Sequence, residues 1–147
     1  MRKNRQILVQ LFSKILVPID GSKQSYKALD SALEIAQMSG AGITAFHIIP
    51  KTYQTDPRTK RLDNQLKFQG TALLEQAILQ AKKKKIEIKT KIVSGSPAHE
   101  IIKFSKDKKY DHIIMSSTGI GTAEGDMFGS VSSYVLHKSK IPVYLIK

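Results

Sequence analysis

The spacing of apolar residues alternates between two periods along this chain, and each change marks an element boundary. Lys-Ile-Leu-Val-Pro-Ile-Asp, residues 14–20, is a continuous apolar run ending in a carboxylate, the pattern of a strand buried on both faces. Beyond Gly21-Ser22, residues Ala28, Leu29, Ala32, Leu33 and Ala36 recur at helical spacing. Ser22 suits the N-cap of that helix, and Gly40 suits a left-handed C-cap. Residues 43–49 form a second strand, and the polar stretch 50–59 is a connection. A long helix follows from about Arg61, with Leu62, Leu66, Leu73, Leu74, Ala77, Ile78 and Ala81 on one stripe and Gly70 as its soft spot. Residues 86–93 alternate apolar and charged side chains, so this third strand has one wet face and belongs at a sheet edge. Ser96 as N-cap and Pro97 at the first helical position start the next helix, which buries Ile101, Ile102 and Phe104. Residues 112–116 are a fourth strand, 131–138 a short helix with Ser130 as N-cap, and 141–146 a fifth strand.

Strands that alternate with crossover helices require a single α/β domain with a mainly parallel five-stranded sheet and helices on both faces. Ligands of such sheets sit beyond the carboxyl ends of the strands, where the strand order reverses. Two strand ends here are polar, Asp20 and Ser116-Ser117. If those strands are neighbours, Asp20 faces the segment after strand four across a cleft.

That segment, residues 115–130, reads Met-Ser-Ser-Thr-Gly-Ile-Gly-Thr-Ala-Glu-Gly-Asp-Met-Phe-Gly-Ser. A glycine-rich turn from a strand into a helix start brings backbone N–H groups close to an anion and suits a phosphate. An ordinary surface loop before a well-capped helix is the alternative that these residues leave open. Neither the P-loop pattern nor a complete dinucleotide fingerprint occurs.

Together these stretches resemble the universal stress protein family from Phe12 to Lys147. The resemblance is carried by residues 14–22, by Phe46-His47-Ile48, by Ser94-Gly95-Ser96-Pro97, by Gly119 with Gly129-Ser130-Val131-Ser132, and by Ile141-Pro142-Val143. The ATP-binding branch of the family spaces its glycines as Gly119 and Gly129-Ser130 are spaced here, with nine residues between them; its first glycine is Ser116 in this chain. The resemblance implies a Rossmann-like, flavodoxin-like strand order 3-2-1-4-5 and a homodimer paired through the last strand, residues 142–146. It implies ATP as ligand, with magnesium carried by the nucleotide. Pro18, Ile19 and Ile48 would line the adenine and ribose pocket, with Met115 packed beside it. Asp20 would lie near the ribose and phosphates, within reach of the metal that the nucleotide carries. Gly119, Gly129, Ser130, Val131 and Ser132 would hold the phosphates, with Ser116 at the departure from the pattern. Glu124 and Asp126 add two negative charges to the loop.

Composition narrows the choice of chemistry. With 147 residues the chain is long enough for one domain with a real core, and 41% hydrophobic residues is ordinary for a soluble protein. Zero cysteines exclude disulfides and thiolate chemistry and suit the cytoplasm. Residues 1–11 read as an extension, frayed or preceding the true start near Phe12, rather than as a signal peptide. The formal net charge is +12, but the basic residues lie in separate blocks without interleaved aromatics, so specific nucleic-acid recognition is not expected, nor is a membrane partner. His47 reads as a hydrogen-bonded strand histidine. Without an arginine or a water-orienting carboxylate in the loop, hydrolysis would be slow at most. The expected function is therefore a dimeric, stress-linked sensor or adaptor that binds an adenine nucleotide and is read by a protein partner. A nucleotide-independent interaction protein and a weak ATPase are the alternatives.

Overall fold

The computed structural model describes residues 11–51, 57–123, 125 and 128–147. Five strands, β1 (Lys14–Pro18), β2 (Gly42–Pro50), β3 (Lys89–Gly95), β4 (His112–Ser116) and β5 (Val143–Ile146), form one sheet in the order β3-β2-β1-β4-β5. All four neighbouring pairs are parallel. Four helices make the crossovers: α1 (Lys23–Ser39), α2 (Pro57–Lys83), α3 (Pro97–Asp107) and α4 (Ser130–Lys138).

The two-residue period of the strands divides the interior into two cores. Ile15, Val17 and Ile19 of the first apolar run pack with Ile43 and Ala45 of β2 against Leu29 and Leu33 of α1 and Leu74 and Ala77 of α2. Leu16, Phe46, Ile48, Ile113 and Met115 point the other way, against Ile101 of α3 and Val135 of α4. Burial of both sheet faces explains why the first run reads as continuously apolar. Phe46 and Phe104 stack with ring centroids 4.5 Å apart in the second core.

Local signals act as their residue types require. The Ser22 hydroxyl accepts the Ser25 N–H at 3.1 Å, and Gly40 ends α1 at φ 76°. Ser96 caps α3 through its extended backbone alone, with Pro97 beginning the helix. Several boundaries differ from expectation. Gly129, not Ser130, is the N-cap of α4, so Ser130 is the first helical residue. Helix α2 begins at Pro57 rather than Arg61, the position where a missing N–H costs nothing. Strand β3 begins at Lys89 rather than at residue 86, because α2 ends in a tight Schellman turn. There the Ile86 N–H reaches back to the Ala81 carbonyl at 3.0 Å, and Ile86 and Ile88 tuck against the first core. Strand β3 is an edge strand with Lys89, Thr90 and Lys91 exposed, and β5 is the other edge.

Gly70 has a packing reason. A Cβ there would stand 2.7 Å from Cδ2 of His47, whose Nδ1 is held 2.7 Å from the Ile19 carbonyl. Gly70→Ala should therefore destabilise the protein despite a helix-propensity gain of about 1 kcal/mol, because overpacking against a tethered ring costs about 1–3 kcal/mol. Urea unfolding of the two proteins checks the sign; a more stable variant would show that the ring moves freely.

Candidate functional site

A cavity of about 770 Å³ opens over the carboxyl ends of β1, β2 and β4, where the strand order reverses. Its wall includes Pro18, Ile19, Asp20, Ile48, Met115, Ser116, Gly119, Gly129, Ser130, Val131 and Ser132. All the residues singled out from the sequence thus converge on one space. Glu124 and Asp126, the acidic pair of the loop, lie outside the described residues.

Asp20 connects the two loops that flank this space. Its Oδ1 accepts the Ser22 N–H at 2.9 Å and the Ser22 hydroxyl at 2.6 Å. Its Oδ2 accepts the Ile120 N–H at 2.9 Å, one hundred residues along the chain. Gly119 is what permits this approach, since a Cβ there would lie 2.3 Å from Oδ2. Burial pushes the Asp20 carboxyl up, but the Ser22 hydroxyl, the Ile120 and Ser22 N–H groups and the Ser25 hydroxyl together outweigh it. The carboxyl is held below its ordinary value. One lone-pair direction of Oδ2 is left over, enough for a single additional donor or cation contact. Among the described residues, no group of three His, Cys, Asp or Glu side chains could hold a metal on its own.

The glycine loop is tied at its base. The Gly129 N–H donates to the Ser117 carbonyl at 2.8 Å, and the Ser132 hydroxyl donates to the same carbonyl at 2.6 Å while accepting the Gly129 N–H at 3.2 Å. The buried Ser132 hydroxyl is therefore committed to the loop rather than turned outward. Thr122 accepts the Gly119 N–H on its hydroxyl at 3.1 Å, and its own N–H donates to the Gly119 carbonyl at 3.2 Å. A Cβ on Gly129 would come within 2.9 Å of that hydroxyl. The N–H groups of Ser130 and Val131 and the hydroxyls of Ser116 and Ser130 have no partner among the described residues. They are the free donors of the first turn of α4 and of the end of β4.

No lysine or arginine is among the described residues of the cavity wall. An anion there would meet only backbone and hydroxyl donors. His47 lines the wall as well; its Nδ1 donates to the Ile19 carbonyl, which can only accept. The sequence did not reveal the α2 side of the cavity, formed by Leu66, Gln69 and Leu73, since leucines at helical spacing look like core. Thr122 was also missed, although a threonine three residues after a loop glycine is a signal for a side-chain-to-backbone turn.

Compared with known sequences, residues 11–147 match the model of the universal stress protein family. The chain belongs to that family. Universal stress protein YxiE of Bacillus subtilis is 32% identical over 148 residues, covering 93% of this chain and 100% of the relative. The structure of universal stress protein UspA from Lactobacillus plantarum superposes with a TM-score of 0.80 at 27% identity, covering 92% of this chain and 98% of that one. The Archaeoglobus fulgidus universal stress protein, solved in complex with dAMP, has a TM-score of 0.69 at 21% identity over 93% of this chain and 99% of that one, a likeness of fold.

In this universal stress protein the Asp20 bridge has a definite pH signature. A carboxyl held below its ordinary value of about 3.9 contributes stability above that pH, and the contribution is lost as the pH falls through the lower folded value. Asp20→Asn should destabilise the protein by about 1–3 kcal/mol at neutral pH by setting an amide against the donors of Ser22 and Ile120. Urea unfolding at neutral pH and near pH ~3 should show the gap between variant and parent narrowing in acid. A gap independent of pH would mean that the charge is not what ties the loops.

Proposed function

We propose that this chain binds ATP or a related adenine nucleotide in the cavity above β1, β2 and β4, with any magnesium carried by the nucleotide, and acts as a stress-linked sensor or adaptor in the cytoplasm. The observation that carries this reading is the set of free N–H groups and hydroxyls at Ser116, Ser130 and Val131, which open onto the cavity opposite the Asp20 carboxylate. Unengaged donors at a helix start suit phosphate oxygens. Gly119 and Gly129 keep the backbone bare beside them. Pro18, Ile19, Ile48 and Met115 offer apolar contact to a base and ribose, and the remaining lone pair of Asp20 Oδ2 suits a ribose hydroxyl or the nucleotide's metal. Ser132 acts from behind, fixing the carbonyl and N–H that shape the loop. The dAMP complex of the Archaeoglobus relative shows that the fold is compatible with an adenine nucleotide in that protein. The absence of a cation from the described wall supports binding rather than rapid hydrolysis, since γ-phosphate transfer needs its charge neutralised.

The outer edge of β5, unpaired among the described strands and with Tyr144 43% exposed, supports pairing of two copies through residues 142–146. A nucleotide-dependent change in the exposed stretch from Ile120 to Ala123 would be what a protein partner reads.

Titration calorimetry with ATP, with and without magnesium, should give saturable binding near one site per chain. Gly129→Val should abolish it with little change in circular dichroism, because the new side chain displaces the Thr122 hydroxyl beside the free donors. No heat and no thermal shift with ATP in the parent would overturn the nucleotide reading and leave an interaction protein of the same fold.

A further inference from the structure

The formal net charge is +12, yet no lysine or arginine is among the described residues of the cavity wall, so the location of the charge matters. The lysine blocks that stand apart in sequence are gathered by the topology. The runs at 82–85 and 106–109, together with Lys138 and Lys140, all lie where helices α2, α3 and α4 hand the chain to β3, β4 and β5. In a parallel sheet these handovers share one end, the end opposite the cavity. From β3 to β5 the row crosses four strand spacings, about 19 Å. Of these lysines only Lys84 is half-buried and ion-paired, 3.0 Å from Asp30; the others are exposed. Asp107 and Glu87 are the exposed acids of the same handovers.

Lysines at helix C-termini complement the helix dipole, and that alone would explain one or two. Two of them are held at a conformational cost. Among the described residues, Lys85 and Lys109 are the non-glycine residues with positive φ, each at 57°. Both occupy the left-handed position of a Schellman turn, with Ile86 donating back to Ala81 at 3.0 Å and Tyr110 to Ser105 at 2.9 Å. Glycine is the unstrained residue for that position, and α1 uses Gly40 there. Lysine at both strained positions, on the same edge, indicates that the side chains are used.

We infer that this basic edge binds the phosphodiester backbone of a nucleic acid, independently of base sequence. Among the described residues the exposed aromatic ring nearest these lysines is Tyr144, which packs on His112 at the start of β4 and leaves no series of rings for successive bases, so the contact is mainly electrostatic. The exposed aliphatic residues toward this end, Met38, Leu79 and Leu136, sit singly on three different helices and do not form one face that could enter a bilayer. A row of point charges along a sheet edge suits a linear polyanion.

The test uses the full chain and a fluorescent single-stranded RNA of mixed sequence, followed by anisotropy at several salt concentrations. Five phosphate contacts give a log–log salt slope of about −3.5, and loss of two gives a slope shallower by about 1.4. The double variant Lys85→Gly, Lys109→Gly should melt at a higher temperature than the parent yet bind the RNA with that shallower slope. Lys82→Glu with Lys108→Glu, at unstrained positions, should abolish binding. ATP at matched ionic strength should not displace the RNA. The inference is overturned by absence of binding in low salt, by a stabilised glycine variant whose slope is unchanged, or by displacement with ATP. It is overturned equally if phosphatidylserine vesicles are bound and RNA does not compete, which would assign the edge to a lipid surface.

Discussion

A single carboxylate joins the two loops on which the cavity depends. Parallel pairing of β1 with β4, Ile15 opposite His112 and Leu16 opposite Ile113, brings the ends of these strands together, but pairing alone leaves the loops beyond them independent. Asp20 removes that independence by accepting from Ser22 on one side and Ile120 on the other. The arrangement works because a partly buried carboxylate needs donors, and the hydroxyl and N–H of Ser22, the Ile120 N–H and the Ser25 hydroxyl compensate its desolvation. The bare backbone of Gly119 is a consequence of this contact, so a glycine that looks designed for a ligand is first required by the protein's own carboxylate.

The two ends of the sheet have opposite electrostatic characters. At the carboxyl end, helix α4 begins and presents unpaired N–H groups, and the described cavity wall has no cation. At the other end α2, α3 and α4 finish, and lysines gather over their carbonyl termini. Both follow from the parallel topology, which points every crossover helix the same way. Positive charge near the cavity would strengthen anion binding without discrimination; dipoles held by a tied loop favour an anion only where it fits them.

Much of this was legible from residue spacing. The continuous run before Asp20 signalled a strand covered on both faces, and alternation in β3 signalled an edge. Gly119 and Gly129 drew attention to the loop because few other residues tolerate such approaches. Three features were hidden for physical reasons. The start of β3 was displaced because a Schellman turn consumes the apolar Ile86, which looks like strand until its N–H is accounted for. The N-cap fell one residue early because an extended backbone at Gly129 suffices, with the Ser132 hydroxyl reaching back to the Gly129 N–H in place of a capping side chain. The lysine edge could not be read as one surface, because its blocks become neighbours only when the strand order is known.

The ties within the loop also limit how the cavity could respond to a ligand. Ser117, Gly129 and Ser132 are joined by three mutually supporting hydrogen bonds, one of them from a buried hydroxyl, so the frame of the turn before α4 is held by the protein's own groups. Preorganised donors cost nothing to orient at the moment of binding. Ile120, by contrast, projects a 73% exposed side chain while its N–H is fixed on Asp20. A ligand that competed for the Asp20 carboxylate would release that N–H and with it the only tie between the loop and the β1 turn among the described hydrogen bonds. A ligand bound in this way would couple its site to the exposed loop through one acceptor, with no need for the sheet or its cores to move.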